Sequence, residues 1–286
     1  MLSSILPGLS TLAKRGLAGW LIIIGAILVV VIVVMTAISP WIVPYNPTEI
    51  PSSPKILAPP STQHFFGTND LGQDLFSRVL SGGGVMLQVS ILSVIVCLAI
   101  GVPLGLFASY AGGAADRVVG LVMDSIYAFP GLVLAIAIAA MLGRGVVNMA
   151  LSIAVVYIPS YFRVIRSQVL SIKEMSYIEA ANAVGAKNRT ILTRYILPNI
   201  VPSIVVVATV NFADAILTAA GLTFIGLGVS VTIPDWGQDL TSGQRLLTSG
   251  AWWAITFPGI MIILLALGFT LMGEGLSELL NPRLEQ

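Results

Sequence analysis

Of the 286 residues, 56% are hydrophobic and 9% charged, and the mean hydropathy is +0.95. Soluble domains carry about 25% charged residues, so a soluble globule, and with it a soluble enzyme, is excluded. A net charge of +1 gives no general attraction to nucleic acid, and the single cysteine, Cys97, can form neither an internal disulfide nor a multi-cysteine metal cluster.

A bilayer core of roughly 30 Å takes about 20 apolar residues of helix. Six runs qualify. Residues 17–38 carry no charge. Their length, and the lack of a small-x-small site in Ser39-Pro40-Trp41, predict a retained helix rather than a cleaved signal peptide. Residues 87–110 form the second span. Residues 118–142 form the third, with Asp124 near its start. Residues 146–169 form the fourth, 200–222 the fifth with Asp214, and 252–273 the sixth. Helices are the expected form, because backbone groups in lipid must be paired internally. With the first residues inside, ten of the 14 Lys and Arg residues fall on the inner side. They are Lys14, Arg15, Arg117, Arg163, Arg166, Lys173, Lys187, Arg189, Arg194 and Arg283. Lys55, Arg78, Arg144 and Arg245 fall outside. The positive-inside rule therefore predicts two cytoplasmic termini.

Three connections carry further information. Residues 39–84, outside, hold seven of the 16 prolines, which oppose regular helix. Trp41, Tyr45, Phe65, Phe66 and Phe76 predict an ordered cap rather than a floppy linker. Gly82-Gly83-Gly84 reads as a flexible turn before the second span, not as a phosphate loop, since no Lys-Ser or Lys-Thr follows at Walker spacing. Residues 171–198, inside, read as two short helices joined at Gly185. Met175, Ile178, Ala181 and Val184 make one apolar stripe. Ile191, Leu192, Tyr195 and Ile196 make another, and Pro198 opens the fifth span. By physics alone this pair is either an interfacial element on lipid headgroups or a docking element for a cytoplasmic partner. Residues 223–250, outside, hold glycines suited to close packing. Trp236, Trp252 and Trp253 suit a membrane–water interface.

Single polar residues divide less sharply. His64 reads as a surface histidine, and Asp70 and Asp74 as loop anchors rather than paired catalytic carboxylates. No catalytic residue and no metal ligand set is predicted. Asp124 can reach water or Arg117. Arg163 and Arg166 read as snorkelling to headgroups. Asp214, with Asn211 one turn before it, either lines a pore or makes a buried structural hydrogen bond.

Glu179-Ala180-Ala181, then Gly185, then Leu197-Pro198, resembles the EAA loop of permease subunits of binding-protein-dependent ABC importers. Further stretches resemble the C-type permease of dipeptide/oligopeptide importers. They run from His64 through Gly67-Thr68-Asn69-Asp70 to Gln73-Asp74 and Ser77-Arg78. They continue with Ala128-Phe129-Pro130, Gly221 through Gly228, Pro234-Asp235-Trp236-Gly237, Gly273-Glu274-Gly275-Leu276 and Asn281-Pro282-Arg283-Leu284. Departures are Tyr195 before Leu-Pro, Asn69 and Gln73 where the family has Asp and Arg, Gly-Gly-Gly-Val before the second span, and Ala219 in place of a glutamate.

The resemblance implies an all-α integral membrane protein of about six transmembrane helices, with type I ABC importer permease architecture and a proline-rich external loop. It implies a cytoplasmic segment 1–16, a first helix 17–38, an external loop 39–84, a transmembrane domain 85–278 and a cytoplasmic tail 279–286. Glu179, Ala180, Ala181, Gly185, Leu197 and Pro198 would dock an ATPase, and Asn211 and Asp214 are candidate pore-lining residues. Implied partners are a second permease subunit, two ATP-binding subunits, an external substrate-binding protein and membrane lipids, but no nucleic acid. ATP and Mg would sit on the ATPase subunits, with no cofactor on this chain. The solute class stays open among peptides, nickel and oligosaccharides. A stand-alone secondary transporter and an intramembrane hydrolase using Asp124 and Asp214 are the alternatives.

Overall fold

A computed structural model describes residues 16–280. Lys14, Arg15 and the motif at 281–284 lie outside them. Nine helices organise the described residues: α1 Gly16–Ile42, α2 Leu75–Ala111, α3 Gly113–Tyr127, α4 Gly131–Leu142, α5 Val146–Lys173, α6 Ser176–Ala183, α7 Asn188–Phe224, α8 Trp236–Leu246 and α9 Trp253–Leu280. Five of these, α1, α2, α5, α7 and α9, are long and apolar enough to cross a membrane.

The predicted third span is not one helix. It is α3 and α4, bent by 91° at Ala128-Phe129-Pro130. Proline disfavours helix at the residue before it, so an apolar run long enough for one span is broken in the middle. The pair still crosses the bundle. Asp116, in the first turn of α3, bonds to Arg166 near the last turns of α5. At the other end, Arg144 Nε donates to the Gly226 carbonyl beyond α7, at 3.1 Å.

Packing between the spans depends on absent side chains. A Cβ on Gly101 would lie 2.7 Å from Tyr161 Cβ, and one on Gly105 2.8 Å from Ile165 Cβ, so α2 and α5 run side by side in parallel. A Cβ on Gly275 would lie 2.6 Å from the Ala18 carbonyl, and Gly25 meets Gly268 as closely, so α1 lies antiparallel to α9. Small residues let membrane helices gain dispersion contacts that bulkier ones would prevent. The start of α1 and the end of α9 therefore lie at one end of the bundle. A cleft lined by Gln168, Asn199, Ser277 and Leu280 joins α5, α7 and α9 at that same end. Counting the bent pair as one span gives six candidate crossings among the described residues. Trp20 (52% exposed) and Trp41 (80%) stand 21 residues apart on α1. That is about 31 Å of helix, close to the roughly 30 Å of a bilayer core, a spacing that suits one tryptophan to each interface.

The helix that carries the second span begins at Leu75, ahead of the apolar run that starts at 87. Gly82-Gly83-Gly84 is therefore helical rather than a flexible turn. A Cβ on Gly82 would lie 2.7 Å from the Trp236 ring, and one on Gly83 2.9 Å from it. The glycines form a notch for the indole, whose Nε1 donates to the Val79 carbonyl at 2.7 Å. Trp236 and Trp253 are accordingly buried in the cap, which corrects their expected interfacial place, while Trp252 remains exposed.

Residues 43–74 form turns held by specific bonds. Asp74 caps α2 by accepting from the Ser77 amide and hydroxyl. His64 Nδ1 lies 2.9 Å from Asp74, so this histidine anchors the loop and is not a bare surface residue. Arg78, counted on the outer side from the sequence, is buried within the cap. Its guanidinium meets Asp239 and the carbonyls of Pro47, Val231, Thr232 and Ile233. Asn69 and Gln73, two of the departures from the family pattern, hydrogen-bond to each other at 3.0 Å inside this loop. Cys97 packs between helices, its thiol against the Ala154 carbonyl.

Candidate functional site: the exposed helix after α5

The helix α6 begins three residues after α5 ends. Ile178 and Ala181 turn inward onto a cluster with Ile172, Ile191, Leu192, Ile196 and Ile200. Glu179, Ala180 and Ala183 face outward. Met175 and Val184, expected on the buried stripe, are exposed, Val184 to 85%. An eight-residue helix has room for one inward turn, so its terminal apolar residues stay outside. The outward surface thus offers small side chains, one carboxylate and uncovered apolar groups.

Gly185 ends α6 in the left-handed conformation, φ +79°. Its amide donates to the Asn182 carbonyl, and the Ala186 amide to that of Ala181. These two bonds make a Schellman motif, which satisfies carbonyls that a helix end leaves free. Side chains other than glycine reach this φ only at a cost of about 1 kcal/mol or more. Tyr110 Oη donates to Asn188 Oδ1 at 3.2 Å, and Lys173 Nζ to the Ser109 carbonyl. The turn is therefore fastened to the end of α2. The same Schellman device closes α7, through Gly226 and Leu227.

Pro198 does not open a new helix. The helix runs unbroken from Asn188, with a π-helical turn at Ile191–Ile196. The Leu197 amide donates to the Leu192 carbonyl, a wider spacing that accommodates the next residue, which lacks an N–H and would crowd the preceding turn. Leu197 is partly buried and Pro198 exposed. Asn199 Nδ2 donates to the carbonyl of Tyr195, itself exposed. Of the six residues assigned to docking, Glu179, Ala180, Gly185 and Pro198 are on the surface and Ala181 is buried.

Asp124 is exposed, in keeping with its expected reach to water. Asp124 pairs with Arg163 at 2.8 Å, not with Arg117, and Asp116 accepts both Nε and Nη2 of Arg166 at 2.8 and 2.7 Å. The two arginines are thus bound to aspartates rather than snorkelling. Arg163 also stacks over Tyr127, 3.9 Å from the ring centroid. Asp116 was not singled out from the sequence. Its signal was an acid eight residues before Asp124, opposite arginines three residues apart. Asn211 is buried on α7, and Asp214 is partly exposed with no side-chain hydrogen bond or ion pair among the described residues. Among the described residues, no group of three potential metal ligands lies together.

Residues 101–286 match the family described as binding-protein-dependent transport system inner membrane component. The chain belongs to that family. Residues 20–60 of this permease also match the N-terminal transmembrane domain of oligopeptide transport permease C. It is 39% identical to the dipeptide transport system permease protein DppC of Alkalihalophilus pseudofirmus, covering 93% of this chain and 86% of that one. It is 38% identical to the glutathione transport system permease protein GsiD of Pectobacterium atrosepticum, covering 89% and 85%. The probable D,D-dipeptide transport system permease protein DdpC of Escherichia coli is also 38% identical, with 92% and 88% covered. Among solved structures, a chain of the inward-facing MetNI methionine ABC transporter matches with a TM-score of 0.56 at 19% identity, over 71% of this chain and 94% of that one. That likeness establishes a shared fold. The permease is a multi-pass inner membrane protein, all-α among its described residues.

Proposed function

We propose that this permease forms half the pore of an ATP-driven importer and couples to separate ATPase subunits through α6 and the Gly185 turn. The observation that carries the reading is the α6 surface. It is a short, exposed helix with uncovered apolar groups and a carboxylate, fixed in direction by a Schellman turn and fastened to α2 and α5. An exposed apolar patch with a polar rim suits a protein partner. Small Ala180 permits close approach, and Glu179 suits a basic residue opposite.

The remaining assembly follows the same reading. A second permease completes the pore, two ATP-binding subunits carry ATP and Mg, and an external binding protein delivers solute. This chain holds no cofactor. Both termini are cytoplasmic and the cap of residues 43–74 is external. The named relatives favour a small peptide or peptide-like solute. Partly exposed Asp214 lines the passage, where a solute ammonium would offset its charge, while Asn211 packs behind it.

Reconstitution tests this. Solute uptake into proteoliposomes should need ATP, the ATPase subunits and the binding protein. Uptake by this chain alone, or nucleotide binding to it at micromolar affinity, would contradict the reading.

A further inference from the structure

The helix α3 is held to the bundle in an unusual way. Of its 15 residues only Met123 is buried. Val118 and Leu121 are both more than 60% exposed, so apolar packing gives α3 little purchase on its neighbours. Its polar attachments all lead to α5, apart from a long contact of Asp116 with Ser109 at the end of α2. Asp116 forms a forked pair with Arg166. Two turns along, Asp124 pairs with Arg163, and Tyr127 lies under the same guanidinium. The residues of both pairs line an open cleft of about 810 Å³ between the two helices. Within this chain, only Met123 and a few half-buried neighbours such as Val119 would otherwise resist separation along that cleft.

The location gives the arrangement a purpose. Arg166 is seven residues before the end of α5, and α6 follows directly. On its other side α3 leads through the 91° bend into α4. We propose that Asp116–Arg166 and Asp124–Arg163 form a two-rung strut that makes α3 move with α5, and so transmits displacement of α6 to the bent pair. The four residues are positioning residues. They touch neither nucleotide nor solute, and act by keeping α3 in register with α5. Forked geometry suits the inner rung to this task, since two parallel N–H···O bonds fix orientation as well as distance. This inference rests on α6 being the element that the ATPase moves.

The test uses the complete transporter in proteoliposomes and reads solute transported per ATP hydrolysed. The variant Asp116→Asn with Asp124→Asn should keep ATPase subunits bound and hydrolysing, while transport per ATP falls about ten-fold, within the usual range of coupling between sites. Exchanging the inner rung, Asp116→Arg with Arg166→Asp, should restore most of the ratio that Asp116→Asn alone loses. In a third variant, Asp124→Cys with Arg163→Cys in a Cys97→Ser background, a cleavable bis-thiol-reactive crosslinker as long as the ion pair it replaces closes the outer rung, and transport should persist after crosslinking. An unchanged ratio in the asparagine variant would overturn the strut, as would transport that stops on crosslinking and returns when the spacer is cleaved. Should the asparagine variant fail to assemble, the crosslinking arm alone decides. Glu179→Lys serves as the separate control. If it leaves ATPase capture intact, the docking role of α6 fails whatever the strut variants do.

Discussion

Arg78 on α2 and Asp239 on α8 form a fully buried ion pair across 161 positions of sequence, with Nη2 at 2.7 Å and Nε at 2.8 Å from one carboxylate oxygen. The rest of the guanidinium gathers the Gln73 side chain and backbone carbonyls from both loops. Arg78 therefore ties the cap before α2 to the segment before α8. Burial raises the Asp239 carboxyl, and the arginine opposes that shift. Removing one partner of a buried pair typically costs about 3–5 kcal/mol, because the other charge is stranded. Arg78→Ala should lower thermal stability in detergent and open the cap to protease near residue 60. Arg78→Ala with Asp239→Ala should recover part of the loss. A double variant worse than the sum of the singles would contradict the pairing.

The notch at Gly82 and Gly83 makes a second prediction. Gly83→Leu should displace the Trp236 indole and break its bond to Val79, costing about 1–3 kcal/mol by overpacking. Gly84, with only the Thr36 methyl at 3.8 Å, should accept alanine with little effect. Thermal denaturation of the two variants separates them. Equal stability would return the triplet to a flexible turn.

Asp235 caps α8 by accepting from the Gln238 amide, and its second oxygen is buried without a partner. Burial pushes its carboxyl up to about 6, with Asp239 nearby adding to the shift and Arg78 opposing it. A folded-state value above the unfolded one means that this group's contribution to stability is fully present below about pH 4 and is lost as pH rises through about 6. The two-unit shift corresponds to about 3 kcal/mol. Asparagine caps helices as well as aspartate does. Asp235→Asn should therefore gain on the wild type between pH 5 and pH 8 in melting experiments. A difference between the two proteins that stays constant with pH would refute the raised value.

Topology can be tested by accessibility. Single cysteines replacing Ser61 and Ser242 should label from outside and one replacing Asn188 from inside, against a Cys97→Ser background. A cytoplasmic signal from position 61 would overturn the proposed orientation.

Hydrophobic runs made the candidate spans legible, because a bilayer sets one length and tolerates no unpaired backbone. The break at Phe129-Pro130 was not, since an apolar run reads the same whether straight or bent. The Gly185 turn was legible because its conformational demand is local. The burial of Arg78 was not, because its partner is 161 positions away. Similarly, the triple glycine looked like a hinge because nothing nearby in sequence shows that an indole fills it. Asn69 and Gln73 looked like separate departures, yet they are partners, and one substitution makes sense of the other.

Whether α6 docks the ATPase decides how this permease is driven. Glu179→Lys reverses the one charge on its outward face, and Gly185→Trp strains the turn, although a Cβ there would meet nothing within 4 Å. Both variants should reach the membrane at wild-type levels. The deciding measurement is capture of the ATPase subunits by the tagged permease, alongside transport by the assembled system. The prediction is weakened capture, with transport lost in both variants. Wild-type capture and wild-type transport at equal expression would contradict it, and would leave α6 as an element lying on lipid headgroups.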